Sequence, residues 1–223
     1  MIIWMLFRIL VYYLNNMKIS YAITVCNELD EITKLINFLL DKKRIDDEIV
    51  ILFDKKNGIP EVWSLLSELK GESNVSYHAA SFKNHFADWK NHLTSLCSGD
   101  YIFQIDADEI PNEQLLINLP HILKDNSNCE VYLVSRVNTV KGMTQEHIKE
   151  WHWNVNEEGW VNWPDPQWRI YKNKPEIKWK NKVHEKLEGY DSWAFLPHEE
   201  EYALYHHKDI KRQEKQNKYY ATL

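Results

Sequence analysis

Short apolar segments alternate with segments of helical periodicity along the first half of the chain. The apolar, β-branched runs have the length of buried strands and lie at residues 19–25, 48–53, 75–78 and 101–105. Between the first two runs, apolar residues recur at spacings of three and four, namely Ile32, Leu35, Ile36, Leu39 and Leu40. Strands that alternate with helices predict an α/β fold with a Rossmann-like, mostly parallel central sheet and flanking helices.

Further helices are predicted by the same spacing and by residues that favour helix ends. Pro60 suits the first turn of a helix whose apolar face comprises Val62, Leu65, Leu66 and Leu69. Gly99 is expected to end another helix, over residues 84–98, and a third is expected over residues 113–123.

The second half of the chain loses this regularity. Strands are predicted at residues 130–137 and 202–206, followed by a polar helix at 209–220. Residues 151–193 contain seven of the ten tryptophans and are interrupted by three prolines, Pro164, Pro166 and Pro175. Prolines disfavour long helices, so we expect short strands and loops in this Trp-rich part.

Two carboxylates spaced two residues apart, Asp106 and Asp108, follow the fourth predicted strand. Hard divalent cations bind oxygen ligands, and ligands of open α/β sheets lie beyond the carboxyl ends of the strands. The pair therefore indicates a metal and a nucleotide. The alternative interpretation is a solvated turn that caps the next helix.

Polar residues also follow the first and second predicted strands. Asn27 and Glu28 follow the first strand, and Asp54 ends the second. In a parallel sheet these strand ends share one edge, which can form a pocket for a base, a ribose and a metal-bound diphosphate. Turn and cap contacts are the alternative for Asn27 and Asp54.

Net charge and cysteine content indicate which partners and which redox setting to expect. The net charge is −6, with basic residues scattered along 223 residues, so no nucleic-acid partner is expected. The cysteines, Cys26, Cys97 and Cys129, are odd in number and far apart, as in reduced cytoplasmic proteins.

The N-terminus differs from the rest of the chain. Residues 1–17 are interpreted as an apolar extension, and residues 18–223 as a single domain. Residues 2–14 are too short to span a membrane but could contact the inner face of one peripherally. Met17, directly before the first strand, is equally suited to be a natural start.

Several segments, taken in order, resemble family 2 glycosyltransferases with the GT-A fold. In the first half these are residues 19–40, 86–91 and 100–111. Later, WRIYKN at 168–173, KVHEKL at 182–187 and LYHH at 204–207 are similar to the "R-l-f-r-n", "v-H-E-x-l" and "l-x-H" elements of small bacterial and phage members. The resemblance implies a nucleotide-binding half at 18–110 and an acceptor-binding half at 111–223.

The resemblance also implies roles for donor-binding residues. Asn27, Glu28 and Asp54 would contact the nucleoside, and Asp106 the ribose or the metal. Asp108 would coordinate Mn²⁺ or Mg²⁺, with His206, or less readily His207, as a second ligand; a histidine beside carboxylates suits Mn²⁺ better. The cations and amide expected near the donor are Lys90, Asn91 and Arg169, of which Lys90 stands where relatives commonly have arginine and so lacks its bidentate fork.

The implied reaction is an inverting transfer of a sugar, from a UDP-sugar by preference, to a hydroxyl of a glycan, lipid-linked or protein acceptor. Glu185 is the candidate general base and Asp165 the reserve, while His184 could orient the base. A strand salt bridge with a neighbouring lysine is the alternative for Glu185 and His184. Trp160 and Trp163 are the candidate acceptor platform, although most tryptophans are expected in the core.

Two other functions share part of this sequence pattern. A nucleotidyltransferase also places an acidic pair beside a nucleotide, but none of the six glycines forms a Gly-rich phosphate loop. A carbohydrate-binding protein without catalysis would keep the tryptophans, yet Asp106 and Asp108 are both intact. A metal-dependent glycosyltransferase is therefore the leading prediction.

Overall fold

A computed structural model describes residues 17–220 and is built on a seven-stranded sheet. Its strands stand in the order β11-β6-β8-β4-β1-β2-β3, and β8 alone runs antiparallel to its neighbours. The bounds are β1 Ile19–Val25, β2 Glu48–Asp54, β3 Val75–Ala80, β4 Tyr101–Asp106, β6 Val131–Val134, β8 Gln167–Lys172 and β11 Trp193–Phe195. The predicted mixed α/β fold with a mostly parallel sheet is confirmed.

Two smaller sheets flank this one. The first has the order β5-β12-β7, with bounds β5 Glu109–Pro111, β7 Arg136–Lys141 and β12 Leu204–Asp209. The second pairs β9 Lys178–Lys180 with β10 Lys186–Glu188. The Trp-rich region thus consists of short strands and loops, as predicted.

The helices cover both faces of the large sheet. They are α1 Leu29–Lys42, α2 Pro60–Glu68, α3 Phe86–Ser95, α4 Glu113–Asp125, α5 Gln145–Glu150 and α6 Ile210–Tyr220, with a 3-10 turn at Glu200–Tyr202. Tyr21 and Ile23 of β1 pack in the cluster that holds α1, whereas Ala22 packs in the cluster that holds Leu93 of α3. Successive strand side chains point to opposite faces, so both layers are buried. Within residues 17–220, no helix is long and apolar enough to cross a membrane.

Three predicted elements differ most from the structure. The strand predicted at 130–137 is wrong because Ser135 divides it into β6 and β7, which belong to different sheets. Ser135 is fully buried, its carbonyl accepts the Leu204 N–H at 2.9 Å, and its Oγ lies 2.8 Å from Nδ1 of His198. These contacts hold the chain where it leaves the large sheet.

Helix α3 is shorter than the predicted range of 84–98. Asn84 has a left-handed φ of 57°, and Nδ1 of His85 accepts the backbone N–H of Asp88 at 3.2 Å as a cap. The last strand begins at Leu204 instead of Tyr202, which ends the 3-10 turn. The predicted contact of residues 2–14 with a membrane lies outside the described residues.

Candidate active site

The parallel strands bring their polar carboxyl ends to one edge of the large sheet. Register pairs Thr24 of β1 with Asp106 of β4, and β2 ends beside them at Asp54. Asn27 is exposed in the turn after β1. The sequence-predicted nucleotide residues therefore come from neighbouring strand ends.

Glu28 and Asp54 order the loops at this edge. Oε2 of Glu28 accepts the backbone N–H groups of Cys26 and Asn27 at 2.8 and 2.9 Å. Asp54 is buried and accepts the backbone N–H groups of Lys56 and Phe82 at 3.0 and 3.1 Å. For Asp54 these are the turn contacts that the sequence analysis gave as the alternative, and Glu28 makes similar contacts. Both carboxylates therefore shape the edge whether or not they touch a ligand.

Asp106 lies between two cations. Its Oδ2 accepts an N–H of Arg169 at 2.9 Å, and Oδ1 is 3.9 Å from Nζ of Lys90. Burial opposes ionisation of Asp106, but the charges of Lys90 and Arg169 outweigh it and lower the pKa of this carboxyl. The side chain remains about a third exposed, at 32%. It is thus an ionised group that a ligand can reach.

A buried cluster behind Asp106 was not predicted from the sequence. Glu109 is fully buried and binds Arg169 in a fork, at 3.0 Å to Nε and 2.6 Å to Nη2. It also accepts an N–H of Arg136 on β7 at 3.3 Å. A glutamate directly after the Asp-x-Asp spacing was the available signal, since a buried carboxylate requires cationic partners. Glu109 therefore fixes Arg169, and through it Asp106.

Asp108, in the turn between β4 and β5, meets His206 of the small sheet. Nε2 of His206, on β12, lies 3.3 Å from Oδ2 of Asp108, and both side chains are largely buried. Arg212 of α6 approaches the same oxygen at 3.4 Å and also contacts Glu28 at 3.3 Å. Burial opposes ionisation of Asp108, but its contact with His206 and the nearby cations lower the pKa of this carboxyl. Arg212 was not predicted from the sequence.

Lys90 connects the large sheet to the segment that carries Glu185. Its Nζ lies 2.6 Å from Oε1 of Glu185 and 4.6 Å from the ring centre of Trp179. The adjacent Asn91 bonds both backbone groups of Trp179 on β9, each at 2.9 Å. Asn91 thus attaches β9 to α3, whereas Lys90 places Glu185 near Asp106.

Asp165 is saturated by hydrogen bonds. Its Oδ2 accepts two N–H groups of Arg136, at 3.0 and 2.8 Å, and one of Asn138 at 2.7 Å. Its Oδ1 accepts an N–H of Gln167 at 2.9 Å. Burial opposes ionisation, but Arg136 and Asn138 lower the pKa of the carboxyl. A carboxylate held in this way is a weak proton acceptor.

The remaining predicted residues lie around these groups. Trp160 and Trp163 are half-buried and touch edge to face, with ring centres 4.9 Å apart. His184 is exposed with a φ of 52°, and His207 points away from Asp108 towards Thr139, at 2.6 Å. The structure therefore brings His206, and not His207, to Asp108.

Asp108 and His206 form a partial donor set of a kind that suits a divalent cation. Within the described part of the chain, no group of three or more His, Cys, Asp or Glu residues could enclose a metal ion. Asp108 and His206 nevertheless converge as one carboxylate and one imidazole. Mg²⁺ and similar ions often use one or two protein carboxylates plus phosphate oxygens, and an imidazole nitrogen favours Mn²⁺.

Comparisons with known proteins agree with this fold. The crystal structure of S. aureus TarS 1-349 matches with a TM-score of 0.59 and 16% identity, over 86% of this chain and 60% of that one. Its complex with UDP-GlcNAc matches with a TM-score of 0.61 and 16% identity, over 86% of this chain and 59% of that one. Its complex with UDP matches with a TM-score of 0.54 and 15% identity, over 81% of this chain and 61% of that one. This chain thus spans about 60% of those structures.

At this identity the structural likeness shows the fold, which is GT-A. Curated protein sequences contain no significant match to the chain. The sequence profile described as glycosyl transferase family 2 matches residues 20–187, well over half of the length. The chain therefore belongs to glycosyl transferase family 2.

Proposed function

We propose that this protein is a metal-dependent, inverting glycosyltransferase that moves a sugar from a UDP-sugar to an acceptor hydroxyl. The observation that carries the proposal is the convergence of Asp108 and His206, 3.3 Å apart, beside Asp106 at the nucleotide edge of a GT-A sheet. Structures of similar fold bind UDP-GlcNAc and UDP, which supports uridine as the nucleoside of the donor.

The donor diphosphate is assigned to the acidic and basic groups at this edge. Asp108 and His206 would hold Mn²⁺ or Mg²⁺, which when bound neutralises charge on the diphosphate. Arg212 lies 3.4 Å from Asp108. Burial lowers the pKa of the nearby Lys208, and the negative charge of Asp108 opposes that shift. These two cations are suited to the negative charge that develops on the departing diphosphate. The nucleoside would lie against Asn27, Glu28 and Asp54.

Glu185 is the proposed general base. In an inverting transfer the base and the leaving group lie on opposite faces of the sugar, and the base takes the proton of the acceptor hydroxyl. Nζ of Lys90 lies 2.6 Å from Glu185 and 3.9 Å from Asp106. The ammonium group of Lys90 therefore keeps the proposed base close to the donor site. Asp165 is not assigned this role because Arg136, Asn138 and Gln167 occupy its oxygens.

The acceptor is a glycan, a lipid-linked glycan or a protein, in a cytoplasmic setting or at the inner face of a membrane. Trp160 and Trp163 are half-buried and in mutual contact, and their ring planes are inclined at 62° to each other. Rings of this kind pack against the apolar faces of sugars, and their N–H groups donate hydrogen bonds.

Thermal unfolding with nucleotides tests the proposal. A ligand that binds only the folded state at 100 times its Kd stabilises it by about 2.7 kcal/mol. We expect UDP to raise the unfolding temperature with Mn²⁺ and not without it, and Asp108→Ala to abolish the rise. Asp125→Ala, exposed at the far end of α4, is the matched control and should respond like the wild type. No shift with UDP, GDP, CDP or TDP would instead favour a carbohydrate-binding protein.

A further inference from the structure

We propose that Asn138 and Asp165 are positioning residues that hold His206 in the one neutral tautomer whose Nε2 can ligate a metal ion. The inference rests on the proposed metal site and adds two residues to it. It starts from a chain of hydrogen bonds that runs from Asp165 to Asn138, to His206 and to Asp108, with lengths of 2.7, 2.8 and 3.3 Å.

The orientation of the Asn138 amide is dictated by its partners. Its Nδ2 faces the carboxylate of Asp165 at 2.7 Å and the carbonyl oxygen of Val161 at 3.3 Å. Both partners are acceptors only, because Asp165 is ionised and a carbonyl has no proton to donate. An amide turned the other way would place its own oxygen against both. Asn138 therefore directs Oδ1 towards His206.

This orientation decides which ring nitrogen of His206 carries a proton. Nδ1 of His206 lies 2.8 Å from Oδ1 of Asn138, an amide oxygen that can only accept. Nδ1 must then be the donor, and in the neutral imidazole Nε2 is left with a free lone pair. Nε2 is the atom that faces Asp108 at 3.3 Å. In the neutral ring, Nε2 and the carboxylate of Asp108 both offer lone pairs, and together they would hold a divalent cation.

Neighbouring residues provide a contrast. The register of β7 and β12 pairs His206 with Asn138 and His207 with Thr139. Oγ1 of Thr139 lies 2.6 Å from Nδ1 of His207, but a hydroxyl can donate or accept, so it does not dictate a tautomer. Successive side chains on a strand point to opposite faces, and His207 points away from Asp108. Thr139→Val is therefore a matched control for Asn138→Ala.

The first test is the tautomer of His206. Long-range ¹H–¹⁵N spectra of the neutral imidazole, assigned with His206→Ala, should show the proton on Nδ1 in the wild type and in Thr139→Val. In Asn138→Ala the proton should move to Nε2, which then donates to Asp108 and can no longer ligate. A proton on Nε2 of the wild-type ring would overturn the proposal without any variant, so the test does not depend on the folding of Asn138→Ala.

The second test is the affinity for Mn²⁺ with saturating UDP, measured from the free ion by electron paramagnetic resonance. Partners of metal-ligating histidines typically contribute about 10–100-fold to affinity, so Asn138→Ala should weaken binding by that factor and Thr139→Val should not. Loss of affinity in His206→Ala with none in Asn138→Ala would refute the positioning role and leave the proposed function intact. Absence of Mn²⁺ binding by the wild type would refute the metal site, and the tautomer would then decide the role of Asn138.

Discussion

Removal of the buried charge of Glu109 should destabilise the protein more than almost any other single carboxylate change. Glu109 is fully buried and accepts three N–H bonds from two arginines, at 3.0, 2.6 and 3.3 Å. Glu109→Gln keeps the size of the side chain but removes its charge and places an NH₂ group against guanidinium N–H groups. Arg169 is also buried and would keep its hydrogen bonds to Asp106 and to the Trp168 carbonyl oxygen.

Removal of one partner of a buried ion pair leaves an uncompensated charge and costs about 3–5 kcal/mol. Domains are stable by about 5–15 kcal/mol, so this change removes a large share of the total. For a chain of this size the same loss lowers the unfolding temperature by about 6–20 °C.

Equilibrium unfolding in urea, with linear extrapolation to water, measures this loss. Glu188→Gln is the matched control, because Glu188 pairs with Lys186 at 3.4 Å and both side chains are about half exposed, at 50% and 53%. An exposed pair contributes less than about 1 kcal/mol. If Glu109→Gln costs no more than Glu188→Gln, the claim that Glu109 anchors the arginines is refuted.

Three further predictions concern the chemistry. Glu185→Gln should lower kcat by about 10²–10⁴-fold with little change in UDP affinity, and a kcat within tenfold of the wild type would exclude Glu185 as the base. Asp165→Asn should destabilise the protein at neutral pH, because Arg136 and Asn138 lower the pKa of Asp165 despite its burial. In unfolding experiments, the difference in the free energy of unfolding between this variant and the wild type should shrink as pH falls below about 4. Trp160→Ala should raise KM for the acceptor and leave KM for the donor unchanged, and equal effects on both would place Trp160 outside the acceptor site.

Local pattern was sufficient to predict the first half of the fold. The bounds of β1 agree with its apolar run, and α1 buries Ile32, Leu35, Ile36 and Leu39, as their spacing predicts. Periodicity fails where a tertiary contact decides the path of the chain. Ser135 looks like a strand residue in the sequence, and only its contacts with His198 and Leu204 show that the strand is divided there.

The strand-end carboxylates of the site were visible in the sequence, whereas most of their partners were not. Arg136 and Asn138 lie in β7 and Arg212 in α6, far along the chain from Asp106 and Asp108. The pairs that join them follow from how the second sheet packs against the first, which no spacing within the chain encodes. Asp165 shows the same limit, because its carboxylate resembles a free base until Arg136 and Asn138 are found on it.

The position of the metal ion is the central feature of the proposed site. Crystals grown with UDP and Mn²⁺, measured at a wavelength where manganese scatters anomalously, would locate the ion directly. We predict one anomalous peak within bonding distance of a carboxylate oxygen of Asp108, Nε2 of His206 and the diphosphate. A peak elsewhere, or ordered UDP with no peak, would contradict the proposed site.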